Sequence, residues 1–335
     1  MAGGRPRAAL ARMSTGGRAV SLLGLDPQTY VPHTSHDETR AYRETNCWTD
    51  VYIELVHARG LEPLAAMGST VRGDFEGDQW TFFKPRFDEI EALYGIEIHE
   101  MQQYRSLEAQ LEEQLRHDRS VLVELDAWFL PDTAGLSHGT QHVKTTVGVE
   151  AIDPDAETLR YFHNAGYFEL SGADYRGALR TGEEWGPETL PPYTELVRFD
   201  AGPALQGDEL RDAARRYTHH HLQRLPAGNP FTRFSAALGA SMDDLAAADP
   251  TTRADYVFAT VRMIGSTFEL LGSHLEWLDA DGSTAAREPL AALVEDSKLL
   301  SFRIARRRAF DHEPIVDRMA ASWDEAMTRL QAGRA

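Results

Sequence analysis

His142-Val143-Lys144-Thr145-Thr146-Val147-Gly148-Val149-Glu150-Ala151-Ile152 decides the fold of the first half of this chain. Its β-branched residues suit a pleated, half-buried strand. Asp153-Pro154-Asp155 follows as a turn. Leu159-Arg160-Tyr161-Phe162-His163-Asn164 then reads as the returning strand. Upstream, Ser120-Val121-Leu122-Val123-Glu124-Leu125 is a third strand. It is expected to continue through Asp126-Ala127-Trp128-Phe129-Leu130 and to stop at Pro131-Asp132. A Gly-containing loop, Thr133 to Gln141, leads to His142. The pattern predicts an antiparallel meander.

Working outward, Ile96-Glu97-Ile98 alternates as a short strand. Ser106 caps a charged amphipathic helix to His117, with Leu107, Leu111 and Leu115 on one face. Phe87 to Tyr94 is helical and ends at Gly95. From Gly207 onward the pattern is helical, with helices expected over 207–224, 229–239, 250–278, 284–310 and 313–332. Pro226-Ala227-Gly228-Asn229-Pro230 and Asp279-Ala280-Asp281-Gly282 break them. The fold class is therefore α+β. Residues 1–25 read as a disordered leader, 26–200 as a domain with an antiparallel sheet, and 201–335 as a helical bundle. Gly182 to Pro192, with Trp185, Gly186 and Pro187, is linker-like.

Composition narrows the function. The net charge of −18 opposes sequence-independent nucleic-acid binding and docking on anionic membranes. No apolar run approaches the ~18 residues of a membrane span. A single cysteine excludes an intrachain disulfide and a Cys-cluster zinc site, and fits a reducing cytoplasm. His219, His220 and His221 are consecutive on a helix, so they point around it rather than converge on a metal.

That cysteine lies in Glu44-Thr45-Asn46-Cys47-Trp48-Thr49-Asp50-Val51-Tyr52-Ile53-Glu54-Leu55. Thr45 and Asn46 are capping residues, and Trp48, Val51, Tyr52 and Leu55 recur at helical spacing. The helix is expected to run to about Ala58 and to close at Gly60. A thiol in the first turn of a helix feels the positive end of the dipole, which favours the nucleophilic thiolate. The same position also suits a buried, inert cysteine. His142 opens its strand after a loop, and Asn164 follows on the next strand. Asp153 is a rival third member, and His138 a second candidate base on the loop. Asp74-Phe75-Glu76-Gly77-Asp78-Gln79-Trp80-Thr81-Phe82-Phe83-Lys84-Pro85 combines aromatics with clustered polar groups. It reads either as a core hairpin or as a segment lining a site.

Val121 to Gly148 resembles the core of the papain-like (cysteine peptidase-like) superfamily, which includes double-glycine peptidases and butirosin-biosynthesis H-type acyltransferases. Over residues 40–330 the chain resembles domain-of-unknown-function family 1839, bacterial proteins often encoded beside aminoacyl-synthetase-like ligases that load carrier proteins. Asn46-Cys47, the 74–84 segment, Leu130-Pro131-Asp132-Thr133 and Tyr161-Phe162-His163-Asn164 carry that match. The resemblance implies a papain-like N-terminal domain with a Cys47, His142, Asn164 triad. It departs at Ala41, where papain-type enzymes place an oxyanion Gln about six residues before the cysteine. Asn46 and Gln79 are the candidate oxyanion donors. Glu76, Asp78, Trp80 and Asp132 are candidate substrate-binding residues. The implied activity is aminoacyl transfer from a carrier-protein phosphopantetheine thioester, through Cys47, to a small-molecule or peptide amine, with no bound cofactor or metal. A cysteine peptidase or amidase, and a non-catalytic binding module, are the alternatives. Arg303, Arg306, Arg307 and Arg308 offer a basic patch for an acidic carrier protein, and the helical half could also mediate dimerisation.

Overall fold

The structure is a computed structural model and describes residues 19–181, 189–278, 283–306 and 310–333. The leader up to residue 18, the linker residues Trp185, Gly186 and Pro187, the break at 279–282, and Arg307 and Arg308 lie outside the described residues. The chain divides into two compact units. One holds residues 1–32, 50–61 and 95–203, and the other 33–49, 62–94 and 204–335.

The first unit is built on an antiparallel sheet. Its strands are β1 (Val20–Ser21), β2 (Glu97–Glu100), β3 (Arg119–Asp126), β4 (Lys144–Asp153), β5 (Thr158–His163), β6 (Gly166–Ser171) and β7 (Thr194–Arg198). The order is β2-β7-β3-β4-β5-β6, and β1 pairs with β4. The expected meander is present, and the sheet extends beyond it through β6 and β7. Val121 lies opposite Val149, Val123 opposite Val147 and Leu125 opposite Thr145. These apolar residues face the helices α3 (Leu107–Arg116) and α4 (Gly172–Leu179), with Leu111, Leu115, Tyr175 and Leu179 in the same core. The opposite face meets helix α1 (Cys47–Ala58) at Gly148, where an added Cβ would fall 2.7 Å from a Val51 methyl.

Three strand ends differ from expectation, each for a local reason. β3 stops at Asp126, because its carboxylate accepts from Trp128 N (3.0 Å) and caps a 3₁₀ turn over Ala127–Phe129. β4 begins at Lys144, so His142 precedes the strand instead of opening it. β5 ends at His163, and Asn164 lies in a two-residue turn before β6. Its φ of +45° is a left-handed conformation that Asn tolerates better than most residues.

The second unit is helical. It contains α2 (Phe87–Tyr94), α5 (Gly207–Leu222), α6 (Pro230–Ala247), α7 (Pro250–Val257), α8 (Met263–Leu278), α9 (Ser283–Ala305) and α10 (Glu313–Ala332). A 3₁₀ helix over Pro63–Arg72 approaches α5 so closely that a Cβ on Gly68 would meet Thr218 Oγ1 at 2.4 Å. The helix expected over 250–278 is interrupted by a π turn at Phe258–Arg262. There the amide of Trp80 donates to the carbonyl of Ala259 (3.1 Å). The aromatic segment 74–85 joins this unit because Phe75 and Trp80 insert among Phe231 and Phe234, with ring centroids 4.9–5.9 Å apart. Residues 62–94 thus pack with the helices that follow residue 204. Among the described residues, no helix is long and apolar enough to cross a membrane.

His274 on α8 is fully buried and joins three elements. Its Nδ1–H donates to the Leu64 carbonyl (2.8 Å), and Nε2 accepts from the Thr218 hydroxyl (2.8 Å). Burial pushes its pKa down from 6.5 to about 4. The unfolded state therefore binds more protons than the native state between these values, so stability rises with pH there. The contribution is complete above pH 6.5 and is lost as the pH falls toward 4. It amounts to about 3 kcal/mol at most. Unfolding free energies measured from pH 7.5 to 4.5 are expected to fall less steeply in His274→Gln than in wild type; parallel curves would contradict this assignment.

Candidate active site

Cys47 is the first residue of α1 and is half-buried. The turn before it is held by Asn46, whose side-chain oxygen accepts from Thr49 N (3.0 Å) as an N-cap. The Asn46 amide donates to the Phe83 carbonyl (2.9 Å), and the Thr49 hydroxyl donates to the same oxygen (2.8 Å). Asn46 is 2% exposed, so it is a structural cap with one side-chain N–H already committed to Phe83. Trp48 stacks on Phe87 (5.4 Å), and the Lys84 ammonium lies 4.7 Å from the Trp48 ring centre. Arg262, from the π turn, donates to the Glu44 carbonyl (3.2 Å). Cys47 thus sits in the first turn of α1, where the helix dipole favours negative charge.

His142 belongs to the sheet unit and has a different partner from the one expected. Its Nδ1 lies 2.6 Å from Asp126 Oδ2, so Nδ1 carries a proton and donates it to the carboxylate. Trp128 stacks on the imidazole with ring centres 4.5 Å apart and an interplanar angle of 10°. The His142 side chain is 69% exposed, so a reacting group can reach it. Ala127 N donates to the Val143 carbonyl (2.8 Å) and closes this end of the β3–β4 pair. This is a base held by a carboxylate, the arrangement that general acid–base chemistry needs. His138 Nε2 is bonded to Asp174 of α4 (3.1 Å).

The other expected residues are dispersed. Cys47 belongs to the helical unit, whereas His142 and Asn164 belong to the sheet unit, so neither unit alone contains the expected triad. Asn164 serves the β5–β6 turn. The Asp153 carboxylate accepts from the amides of Asp155 and Ala156 (3.1 Å each) and builds the preceding turn. Asp132 is buried and accepts from Tyr161 Oη (2.5 Å) and His163 Nδ1 (2.6 Å). Burial, and then the Asp132 charge, push the Tyr161 hydroxyl well above its ordinary range, so it stays a donor. Glu76, Asp78 and Gln79 are exposed on a tight turn at Gly77, while Trp80 is a core residue. Glu76 accepts from the Thr81 hydroxyl (2.8 Å), and Asp74 is paired with Arg233. In the His219–His221 run, only His221 turns inward, to Glu89 (2.6 Å). Arg303 and Arg306 are exposed, with Arg306 over the Phe302 ring.

Asp126 and Trp128, the partners of His142, are the residues of this candidate site that the sequence pattern does not single out. The only local signal was an Asp at the end of an apolar run, two residues before an aromatic.

Residues 31–199 match the DUF1839 N-terminal domain, and residues 207–332 match the DUF1839 C-terminal domain. None of the curated proteins matches the chain.

These roles separate two substitutions. Asn164→Gly keeps the left-handed turn and should leave stability within about 0.5 kcal/mol of wild type. It should also leave the His142 proton on Nδ1, as read by nitrogen-15 NMR of the imidazole. Asp126→Ala should move that proton toward Nε2 and cost about 1 kcal/mol through the lost cap. A tautomer change in the Asn164 variant, or none in the Asp126 variant, would reverse the assignment.

Proposed function

The chain belongs to the DUF1839 family, and we propose that it is a cysteine-dependent acyl transferase in which Cys47 is the nucleophile and the His142–Asp126 pair is the base. The observation that carries this reading is the His142–Asp126 hydrogen bond of 2.6 Å on an imidazole whose side chain is 69% exposed. Such a pair holds one tautomer and leaves Nε2 ready to take a proton. Cys47 at the start of α1 is the proposed nucleophile, at the helix end whose dipole favours negative charge.

In the proposed reaction, the Cys47 thiol gives up its proton to a general base, the role proposed for His142. Cys47 Sγ attacks the carbonyl carbon of a thioester on a carrier-protein phosphopantetheine arm. The C–S bond of the donor breaks, and the departing pantetheine sulfur takes the proton back from His142. An amine then attacks the acyl-Cys47 carbonyl, His142 accepts its proton, and the new amide forms as the C–S bond to Cys47 breaks. The proton returns to Cys47. A thioester donor suits this site because its leaving group is already a good one and needs little acid assistance. An aminoacyl donor fits the exposed carboxylates of Glu76 and Asp78, which can receive an ammonium group. An acidic carrier protein fits the exposed Arg303 and Arg306 on an otherwise acidic chain.

The residues run Cys47, Asp126, His142 along the chain, not in the Cys, His, Asn/Asp order of papain-like enzymes. The papain-like reading therefore remains part of this proposal only as a fold for the sheet unit, and the chemistry stands on the side chains themselves. Hydrolysis by a peptidase or amidase would use the same groups with water in place of the amine.

Intact-protein mass spectrometry after mixing with aminoacyl-loaded carrier protein tests the reading. Wild type is expected to gain the mass of one acyl group and Cys47→Ala none, with His142→Gln acylated roughly 100-fold more slowly. Equal adduct in the Cys47 variant, or no adduct and no carrier unloading in wild type, would overturn it.

A further inference from the structure

His163 lies in the core of the sheet unit, bonded at both ring nitrogens. Nδ1 meets Asp132 Oδ2 at 2.6 Å, and Nε2 meets Thr145 Oγ1 at 2.8 Å. With the proton on Nδ1, Nε2 accepts the Thr145 hydroxyl. Tyr161 gives Asp132 a second donor (2.5 Å). The chain of atoms is that of a hydroxyl nucleophile, a base and an orienting acid. Its burial decides against that use. His163 and Asp132 side chains are 2% and 4% exposed, and Thr145 is 7% exposed, so no substrate reaches the hydroxyl.

The two ends of this chain lead to the two halves of the base pair. Asp132 sits in the 3₁₀ turn Pro131–Thr133, which is tied to the turn that carries Asp126 and Trp128. The Thr133 hydroxyl lies 3.1 Å from the Ala127 carbonyl and 2.9 Å from that of Leu130. Thr145 is the second residue of β4, three residues after His142. His163, on β5, therefore bridges the segment that positions Asp126 to the strand that positions His142. α4 supports the same loop from outside: Phe129 fills the space beside Gly177, where a Cβ would come within 2.2 Å of its ring.

We propose that His163, with Asp132 and Thr145, is a buried clasp that sets the distance and stacking of the exposed His142–Asp126–Trp128 group. These are positioning residues, and their effect on transfer rests on the function proposed above. The geometry they impose does not depend on that function and can be read without a substrate.

The protein is labelled with 5-fluorotryptophan, and the Trp128 resonance is assigned among the six tryptophans with Trp128→Phe. Fluorine NMR then reports the stacking on His142. His142→Gln is expected to move this resonance. Thr145→Val, which removes only the hydroxyl, should move it by at least about half as much, and Thr145→Ser should restore it. A Thr145→Val protein that melts cooperatively yet keeps the wild-type Trp128 resonance would overturn the clasp. If Val at 145 prevents folding, Asp132→Asn is read in the same way, with the same expected and contrary results. In acyl loading, Thr145→Val should fall about threefold or more, and the Thr145→Val/His142→Gln double variant should be no slower than His142→Gln alone. Additive losses would assign Thr145 a route independent of His142. Unchanged loading in Cys47→Ala would defeat the transferase while leaving the resonance test intact.

Discussion

Val121 and Val123 share one face of the sheet with Val147 and Val149, and Leu125 with Thr145, and this fixes the antiparallel register of β3 and β4. A slip of one residue would turn that apolar row away from α3 and α4. The same register puts Asp126 opposite Lys144, so the strand ends together and the carboxylate falls within reach of His142. The His142–Asp126 pairing is thus a by-product of core packing. Once the apolar face is chosen, the polar residues just beyond the strand ends have nowhere else to meet.

A register shift in β4 between Val149 and Ala151 sets off a second polar feature. Glu150 is fully buried there and accepts from Tyr167 Oη, from Ser21 Oγ (2.7 Å) and from Leu23 N (2.6 Å). A buried carboxylate is tolerated only when its acceptor sites are filled, and here one acid ties Ser21 and Leu23 to the sheet. Burial, with the Glu150 hydrogen bond second, pushes the Tyr167 hydroxyl above its ordinary range. In the helical unit one junction is made by a neutral group: His274 is held uncharged by burial and satisfied by Leu64 and Thr218, and so joins the 3₁₀ helix, α5 and α8.

Much of this architecture was legible from residue pattern. Thr45 and Asn46 before an apolar period of helical spacing mark the start of α1, and Ser106 marks that of α3. Asp153-Pro154-Asp155 marked the turn between β4 and β5. What the pattern lacked was long-range register. The loop between β3 and β4 leaves their pairing unconstrained by local geometry, so Asp126 could not be matched to His142 from the sequence. Asn164 reads as a third triad member on the strand that follows His142, whereas its φ of +45° shows a backbone reason for an Asn there. β6 and α4 were missed although Gly166-Tyr167-Phe168-Glu169-Leu170 follows directly on an Asn-Ala turn. Phe75 and Trp80 were ambiguous between core and site, and the aromatic cluster with Phe231 and Phe234 resolves them as core.

The proposed transfer rests on two roles, Cys47 as nucleophile and His142, oriented by Asp126, as base. The most direct measurement is the second-order rate of Cys47 alkylation by iodoacetamide at neutral pH, in wild type and in His142→Gln, with tryptic mass spectrometry confirming the modified residue. A fall on the order of tenfold or more is expected in the variant, because a thiol without its base is mostly unreactive. Equal rates in two folded proteins would contradict it and leave Cys47 and His142 as unconnected features.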